Sequence, residues 1–396
     1  MIVRPKIRGF LCTTAHPQGC AANVQQQIDY IEAQPKAGKG PSRVLVIGAS
    51  NGYGLASRIT AAFGYGADTL GVFFERPADT KKKRPASAGW YNSVAFEEKA
   101  RAKGLYAKSI NGDAFSNELK QQTIEEIKSS MKSVDLVIYS LASPRRTHPD
   151  TGINYASVLK PIEKKYECKT LDVNNCKVTP VSIETASEEE IEHTKIVMGG
   201  EDWFMWMKAL KEANVLAEDC LTVAYSYRGP KITQSIYGKG TIGGAKDHLE
   251  ATAPEITELL KDINGKAYAS VNKALVTQSS SAIPVMPLYI SLLYRVMKDK
   301  GIQEGCIEQC YRLFASKLFS GQEPLLDEKG RIRVDDLEMR EDVQEEIGKI
   351  WDNLDSDNIT EITDIEGYKQ EFLSLFGFGF EGVDYDADVE IDLKLT

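Results

Sequence analysis

Tyr237 and Lys246, two residue types able to handle a proton, stand nine positions apart in Ser235-Ile236-Tyr237-Gly238-Lys239-Gly240-Thr241-Ile242-Gly243-Gly244-Ala245-Lys246. In one continuous helix, turning about 100° and rising about 1.5 Å per residue, they would face opposite sides roughly 13 Å apart and could not cooperate. The four intervening glycines point to another arrangement. If they hold Tyr237 in a loop and a helix begins near Thr241, Lys246 falls in its second turn and reaches back toward the phenol. Such a pair suits reduction of a polarised double bond. Hydride added at the β-carbon of an enoyl thioester leaves an enolate, which a phenol stabilises by hydrogen bonding or protonates. A nearby ammonium favours the phenolate, or anchors a nicotinamide ribose. An arbitrary Tyr/Lys pair is more often boundary packing and a surface lysine. Its place after the fifth strand of a cofactor-binding pattern reverses that preference.

The pattern begins with Arg43-Val44-Leu45-Val46-Ile47, an apolar β-branched run, followed by Gly48-Ala49-Ser50-Asn51-Gly52-Tyr53-Gly54 and a helical segment from Leu55 to Phe63. Strand, glycine turn and helix in that order can seat a dinucleotide pyrophosphate on free backbone N–H groups at a helix amino end. A second strand, Thr69 to Phe74, ends on Glu75, 21 residues after Gly54. An acid there binds adenosine ribose hydroxyls and repels a 2′-phosphate, so the expected cofactor is NADH. Arg76 and Lys81-Lys82-Lys83-Arg84 argue the other way, since they could hold that phosphate. The basic run is most simply a solvated loop, with a CoA phosphate or an acidic carrier protein as the alternative occupant. The same glycine turn spells Gly48-x-Ser50-x-Gly52, the nucleophile elbow of serine hydrolases, with Ser50 as nucleophile. It follows the first strand detected rather than a later one, and no Asp-then-His pair stands out downstream.

Further strands are expected at Leu105–Ile110, followed by Asp113-Ala114, at Val134–Tyr139, at Leu221–Tyr227 and at Lys266–Asn272, with helices near 91–103, 116–131 and 201–215 between them. Continuous apolar strands alternating with helices predict a Rossmann-like, doubly wound parallel α/β sheet covered on both faces. Tyr225 and Tyr227, on the fifth strand, are candidates to line a substrate pocket, with core packing an equal alternative for Tyr225. The pattern is interrupted at about 145–200. There Lys165–Val173 and Lys177–Ile183 alternate as strands around Asn174-Asn175, and Ser187-Glu188-Glu189-Glu190 opens a helix ending at Gly199-Gly200. A C-terminal helical extension follows, with helices near 285–299, 304–319, 338–353 and 366–375 and a charged segment around 327–336. The first forty residues give no clear element. The strands on either side of the insertion share one character, so residues 1–396 are expected to form one elaborated domain.

Composition bounds the rest. The 396 residues are 42% hydrophobic and 27% charged, ordinary for a globular chain, and the net charge of −9 argues against a nucleic-acid or anionic-membrane surface spread over the whole protein. There is no apolar leader, and no run approaches the ~18 uninterrupted apolar residues of a membrane span, so the chain reads as cytoplasmic. Seven cysteines without a C-x-x-C pair read as free thiols. Cys306 and Cys310, at i, i+4, are expected to be buried thiols rather than a metal pair, and His16, His148, His193 and His248 lack ligand spacing. No metal site is expected.

With these pieces together, the chain closely resembles the FabV-type enoyl reductases and the related trans-2-enoyl-CoA reductases of the short-chain dehydrogenase/reductase superfamily. The match runs through Ala15 to Cys20, Gly48 to Gly54, Ala88 to Asn92, Tyr139 to Pro144, Met198 to Trp203, Ala224 to Tyr227 and Val271 to Thr277. Most specific is Tyr-x8-Lys, Tyr237 to Lys246. The resemblance implies that Tyr237 donates the proton, Lys246 binds NAD and Tyr227 contacts the acyl thioester. It implies that Gly48, Ala49, Ser50, Asn51, Gly52, Tyr53, Phe74, Glu75, Asp113, Ala114, Leu141, Ala142, Leu275, Val276 and Thr277 line the cofactor. The region before Pro287 and the helix after it would form the acyl pocket. Gly238 departs from the basic residue often found there. The activity implied is NADH-dependent reduction of a short trans-2-enoyl-CoA such as crotonyl-CoA by a monomeric oxidoreductase, with enoyl-ACP as the alternative substrate. A non-catalytic NAD-sensing protein would keep the glycine turn but has no need of Tyr237 and Lys246.

Overall fold

The computed structural model describes residues 1–9, 11–35, 38–141 and 143–395. An N-terminal hairpin, β1 (Ile7–Arg8) and β2 (Leu11–Cys12), leads into helix α1 (Pro17–Ala33). The sequence reading left this region unassigned. The helix is amino-capped by His16, which accepts a hydrogen bond from the Gly19 N–H, and it buries Val24, Ile28 and Ile31, one stripe at helical spacing. Strand β3 (Arg43–Ile47), helix α2 (Gly52–Ile59), β4 (Asp68–Phe73), α3 (Ala88–Ala102), β5 (Ala107–Asn111), α4 (Asn117–Glu126) and β6 (Val134–Tyr139) follow as expected within a few residues at each end.

The insertion supplies β7 (Arg145–Thr147) paired with β8 (Asn154–Ala156), the hairpin β9 (Tyr166–Asp172) and β10 (Lys177–Ile183), and α5 (Glu188–Met198), whose capping box is formed by Ser187 and Glu190. Then come α6 (Glu201–Glu212), β11 (Leu216–Ser226), the one-turn α7 (Gln234–Tyr237), α8 (Thr241–Leu259) and β12 (Lys266–Val271). The C-terminal part comprises α9 (Gln278–Ser281), α10 (Met286–Asp299), α11 (Cys306–Arg312), β13 (Ile332–Arg333), α12 (Glu341–Trp351), α13 (Ile359–Ile362) and α14 (Ile365–Ser374).

Among the described residues, seven strands form one parallel sheet in the order β13-β12-β11-β6-β3-β4-β5. β3 and β6 are the inner neighbours at which the winding reverses, so their carboxyl ends open the crevice where doubly wound sheets bind ligands. The central strands read as continuous apolar runs because helices cover both faces. The seventh strand was not expected. β13 lies in the charged segment and contributes two residues to the sheet edge, beside Ser270 and Val271. A two-residue edge strand, Ile332–Arg333, set between Arg331 and Asp335, carries too little apolar pattern to announce itself. No helix among the described residues is long and apolar enough to cross a membrane.

Candidate active site

The glycine turn sits at the carboxyl end of β3. Gly48 has φ +89°, and a Cβ there would lie 2.3 Å from the Ser140 carbonyl oxygen, so this position requires glycine and brings the ends of β3 and β6 into contact. Asn51 precedes α2 without making a side-chain cap, which leaves the helix's first N–H groups to a ligand. Glu75, just beyond β4, turns inward: its Oε1 accepts hydrogen bonds from Ser50 Oγ at 2.7 Å and Asn51 Nδ2 at 3.1 Å. That oxygen lies 2.1 Å from where a Cβ of residue 89 would stand, so Gly89 makes room for the carboxylate. Beside it Phe74 is 79% exposed, a large apolar ring left uncovered. The Ala114 carbonyl is held by Lys120 Nζ at 3.2 Å and Trp206 Nε1 at 3.0 Å. Thr277 lies against Gly52 and caps α9, so the Leu275–Thr277 loop borders the turn. These residues are the donor set, acidic group and apolar flank that a dinucleotide of the NADH type needs. Tyr53 is turned away from that set: its hydroxyl donates to the Lys273 carbonyl at 2.9 Å. Ala142 lies outside the described residues.

The proton-handling stretch folds differently in one respect. Helix α8 begins at Thr241, with Lys246 in its second turn, but Tyr237 is the last residue of α7 rather than part of a loop. The insertion holds this geometry. Thr241 donates its N–H to the Lys160 carbonyl and its hydroxyl to the Val158 carbonyl, and the Ile162 N–H reaches the Lys239 carbonyl. Tyr237 is 7% exposed, packs edge-on against Tyr227 with ring centroids 4.6 Å apart, and has no hydrogen-bond partner for its hydroxyl among the described residues. Burial, then the charge of Glu338, raises its pKa, so the phenol keeps its proton at neutral pH.

Lys246 does not bond that phenol. Its Nζ donates to the Tyr225 carbonyl, at 3.1 Å, at the end of β11. Burial lowers its pKa to about 8, opposed by Glu250 and assisted by Arg228. The expected direct contact is thus not made: the phenol has no hydrogen bond among the described residues, and the ammonium is held by a carbonyl at the end of β11. The Tyr225 side chain turns toward α2 and meets Ser57 and Tyr53, which is packing beneath the glycine turn rather than a substrate wall. Tyr227 packs edge-on against Tyr237, shares the Glu338 carboxylate with Tyr289 of α10, and borders the apolar cluster to which Met286, Leu288 and Tyr289 belong.

Two groups in this site escaped the sequence. Glu338, in the C-terminal extension, is 0% exposed and accepts from Tyr289 Oη at 2.7 Å, Tyr227 Oη at 3.2 Å and the Ala274 N–H at 2.7 Å. Glu250, one turn after Lys246, accepts from Ser226, Arg228 and Arg331 and so ties α8 to the ends of β11 and β13. Glu338 stands at the start of a helix expected near 338–353 and Glu250 in the segment after Lys246, and neither position shows its partners in the sequence. The run Lys81–Arg84 is a tight exposed turn, bridged between Asp79 and Arg84, as the solvated-loop reading expects. The Ser50 hydroxyl is committed to Glu75, and among the described residues no histidine hydrogen-bonds it, which removes the support for a hydrolase elbow.

Three family models match in succession: the NAD(P)H binding domain of trans-2-enoyl-CoA reductase over residues 2–80, the trans-2-enoyl-CoA reductase catalytic region over 84–319, and an enoyl reductase FAD binding domain over 326–389. The trans-2-enoyl-CoA reductase [NADH] of Ruminiclostridium cellulolyticum is 60% identical over 395 residues, covering 100% of this chain and 99% of that one. The enoyl-[acyl-carrier-protein] reductase [NADH] of Flavobacterium psychrophilum is 60% identical over 388 residues, covering 98% and 97%. The crystal structure of Clostridium acetobutulicum trans-2-enoyl-CoA reductase in complex with NADH matches with a TM-score of 0.96 at 46% identity, covering 99% of this chain and 98% of that one. The residues of the third matched region do not fit a flavin. Val343, Ile347, Ile359, Ile365, Tyr368 and Phe372 are buried against α10, and the close approach at Gly377 is filled by the backbone of His16 and Cys20.

Proposed function

The chain belongs to the trans-2-enoyl-CoA reductase family, and on that premise we propose that this NADH-dependent enoyl reductase acts on a short trans-2-enoyl-CoA, with Tyr237 as the proton donor. The observation that carries the reading is a buried phenol whose hydroxyl has no hydrogen-bond partner among the described residues, set in the same apolar cluster as Tyr227 and α10. NADH, when bound, supplies the hydride that adds to the β-carbon of the acyl chain. The chain's own residues do the rest. Gly48 to Asn51 and the amino end of α2 receive the pyrophosphate, Glu75 the adenosine ribose, and Phe74 with Asp113 and Ala114 the adenine. Leu141, Lys246 and Leu275 to Thr277 border the nicotinamide half. Tyr237 hydrogen-bonds the thioester oxygen, stabilises the enolate as charge moves onto it, and gives up its proton. The acyl chain lies along α10.

Enoyl-ACP is the second reading, favoured by relatives of that name as similar as those that reduce the CoA thioester. Steady-state NADH oxidation with crotonyl-CoA, longer enoyl-CoA and enoyl-ACP decides between them. The highest kcat/KM is expected for crotonyl-CoA with NADH, and a marked fall when NADPH replaces NADH, because Glu75 repels a 2′-phosphate. A strong preference for enoyl-ACP promotes the second reading, and no turnover with any of them overturns the proposal.

Lys246 gives the reaction a pH limit. With a pKa of about 8 its ammonium is charged below that pH and neutral above it. The anchor for the nicotinamide ribose therefore weakens as pH rises, and kcat/KM should fall on the alkaline side with a midpoint near 8. In Lys246→Arg, whose guanidinium stays charged to well above about pH 9, the residual activity should lack that limb. An alkaline limb unchanged in the variant would assign it to another group.

A further inference from the structure

A phenol has one proton, and Tyr227 has a buried acceptor for it. Glu338 Oε1 lies 3.2 Å from the Tyr227 hydroxyl and 2.7 Å from that of Tyr289, and Oε2 takes the Ala274 N–H. Gln344 fixes the far side, donating to the Tyr289 hydroxyl and to the Glu338 carbonyl. Enclosing a carboxylate in an apolar cluster is costly unless it is hydrogen-bonded and electrostatically balanced. Three donors meet the first need. The second is met only in part: burial raises the Glu338 pKa above the ordinary carboxylate range, and the buried ammonium of Lys273, which lies over the Tyr294 ring, opposes that rise. The tie could have been made by an apolar contact, yet a carboxylate stands there and accepts from Tyr289 and from Tyr227, the tyrosine that packs edge-on against Tyr237.

We propose that Glu338 is a positioning residue for the reduction: by accepting the Tyr227 proton it fixes that ring and turns its lone pairs, not its proton, toward the substrate, so that Tyr237 alone donates to the thioester oxygen. The inference rests on the reading above, with Tyr237 at the thioester oxygen, and on the contact of Tyr227 with the acyl thioester that the family resemblance implies. It adds a division of labour between them. Tyr227 shapes the site and holds the Tyr237 ring at its edge; Tyr237 carries the transferable proton. Glu338 comes from the C-terminal extension, so that part of the chain contributes a polar group to the site as well as the apolar wall of α10.

The test is a double-mutant cycle with crotonyl-CoA and NADH, using Glu338→Gln, Tyr227→Phe and the pair, with NADH binding by fluorescence and thermal unfolding measured on each. A glutamine can place its amide N–H₂ toward the two phenols and so reverse the hydrogen bond. Glu338→Gln is expected to lower kcat about tenfold while the dissociation constant for NADH stays within twofold. In the Tyr227→Phe background the same change should cost no more than twofold, since the hydroxyl it acts through is gone. Glu338→Asp, which keeps the charge, should recover part of the loss. A kcat for Glu338→Gln within twofold of wild type overturns the proposal, as does an equal loss in both backgrounds, which marks a purely structural tie. If the glutamine variant does not fold, Glu338→Asp in the same two backgrounds makes the comparison, and an undiminished loss without the Tyr227 hydroxyl is the overturning result. Absence of turnover in the wild-type control sinks the functional reading itself, independently of Glu338.

Discussion

Tyr237→Phe is expected to lose about 10²–10⁴-fold in kcat, the usual size of a general-acid contribution, while NADH still binds. The substitution removes one oxygen and leaves the ring that packs against Tyr227 and the apolar cluster around α10. That oxygen makes no hydrogen bond to the described residues, so its loss leaves no protein group unpaired and little of the effect can come from unfolding. Lys246 bonds the Tyr225 carbonyl rather than this phenol, so the cofactor side is also left as it was. Titration of NADH fluorescence and steady-state turnover of crotonyl-CoA separate the two quantities. Wild-type turnover would assign the proton elsewhere, and Tyr227 is the neighbouring hydroxyl in reach of that role.

The sheet was legible because its central strands are buried on both faces and so have to be continuous apolar runs. Arg43–Ile47 and Val134–Tyr139 were read to the residue for this reason. Ser187 with Glu190 and Asn174 with Asn175 marked their elements through local hydrogen bonding, which sequence spacing encodes directly. The region before β3 was harder. Its helix has no acidic first turn, but Pro17 at the amino end and Val24, Ile28 and Ile31 at helical spacing offered a usable signal. β13 offered almost none. In the site, the spacing of Tyr237 and Lys246 placed the start of α8 at Thr241 but not the target of the lysine. That target is a carbonyl on another strand, and the geometry also depends on residues 158–162 of the insertion. Glu338 and Glu250 depend on partners dozens of residues away, and pairings of that range leave no periodicity for a single sequence to show.

The largest effect on stability is expected from Lys120→Met, about 3–5 kcal/mol, because it strands a buried carboxylate. Lys120 and Asp202 stand 82 positions apart on two helices, yet both are nearly fully buried and their charges meet at 2.9 Å. Lys120 also donates to the carbonyls of Ala114 and Phe115, and Asp202 Oδ2 accepts from Tyr139 Oη at 3.0 Å. Without the cation, Asp202 keeps that phenol and its place in the first turn of α6, which offset only part of its desolvation. Lys108→Met is the matched control. It removes an ion pair of similar length, 2.6 Å to Glu126, but one that solvent reaches, and should cost less than about 1 kcal/mol. Urea unfolding of the two variants measures the difference, and equal losses would show that burial is not what sets the energy. Lys120→Met combined with Asp202→Leu should regain most of the stability, since no charge is then left without a partner. Affinity for NADH should not return with it. The lysine also fixes the Ala114 carbonyl beside the proposed adenine site, so the double variant should fold yet show a raised KM for NADH with kcat much less changed.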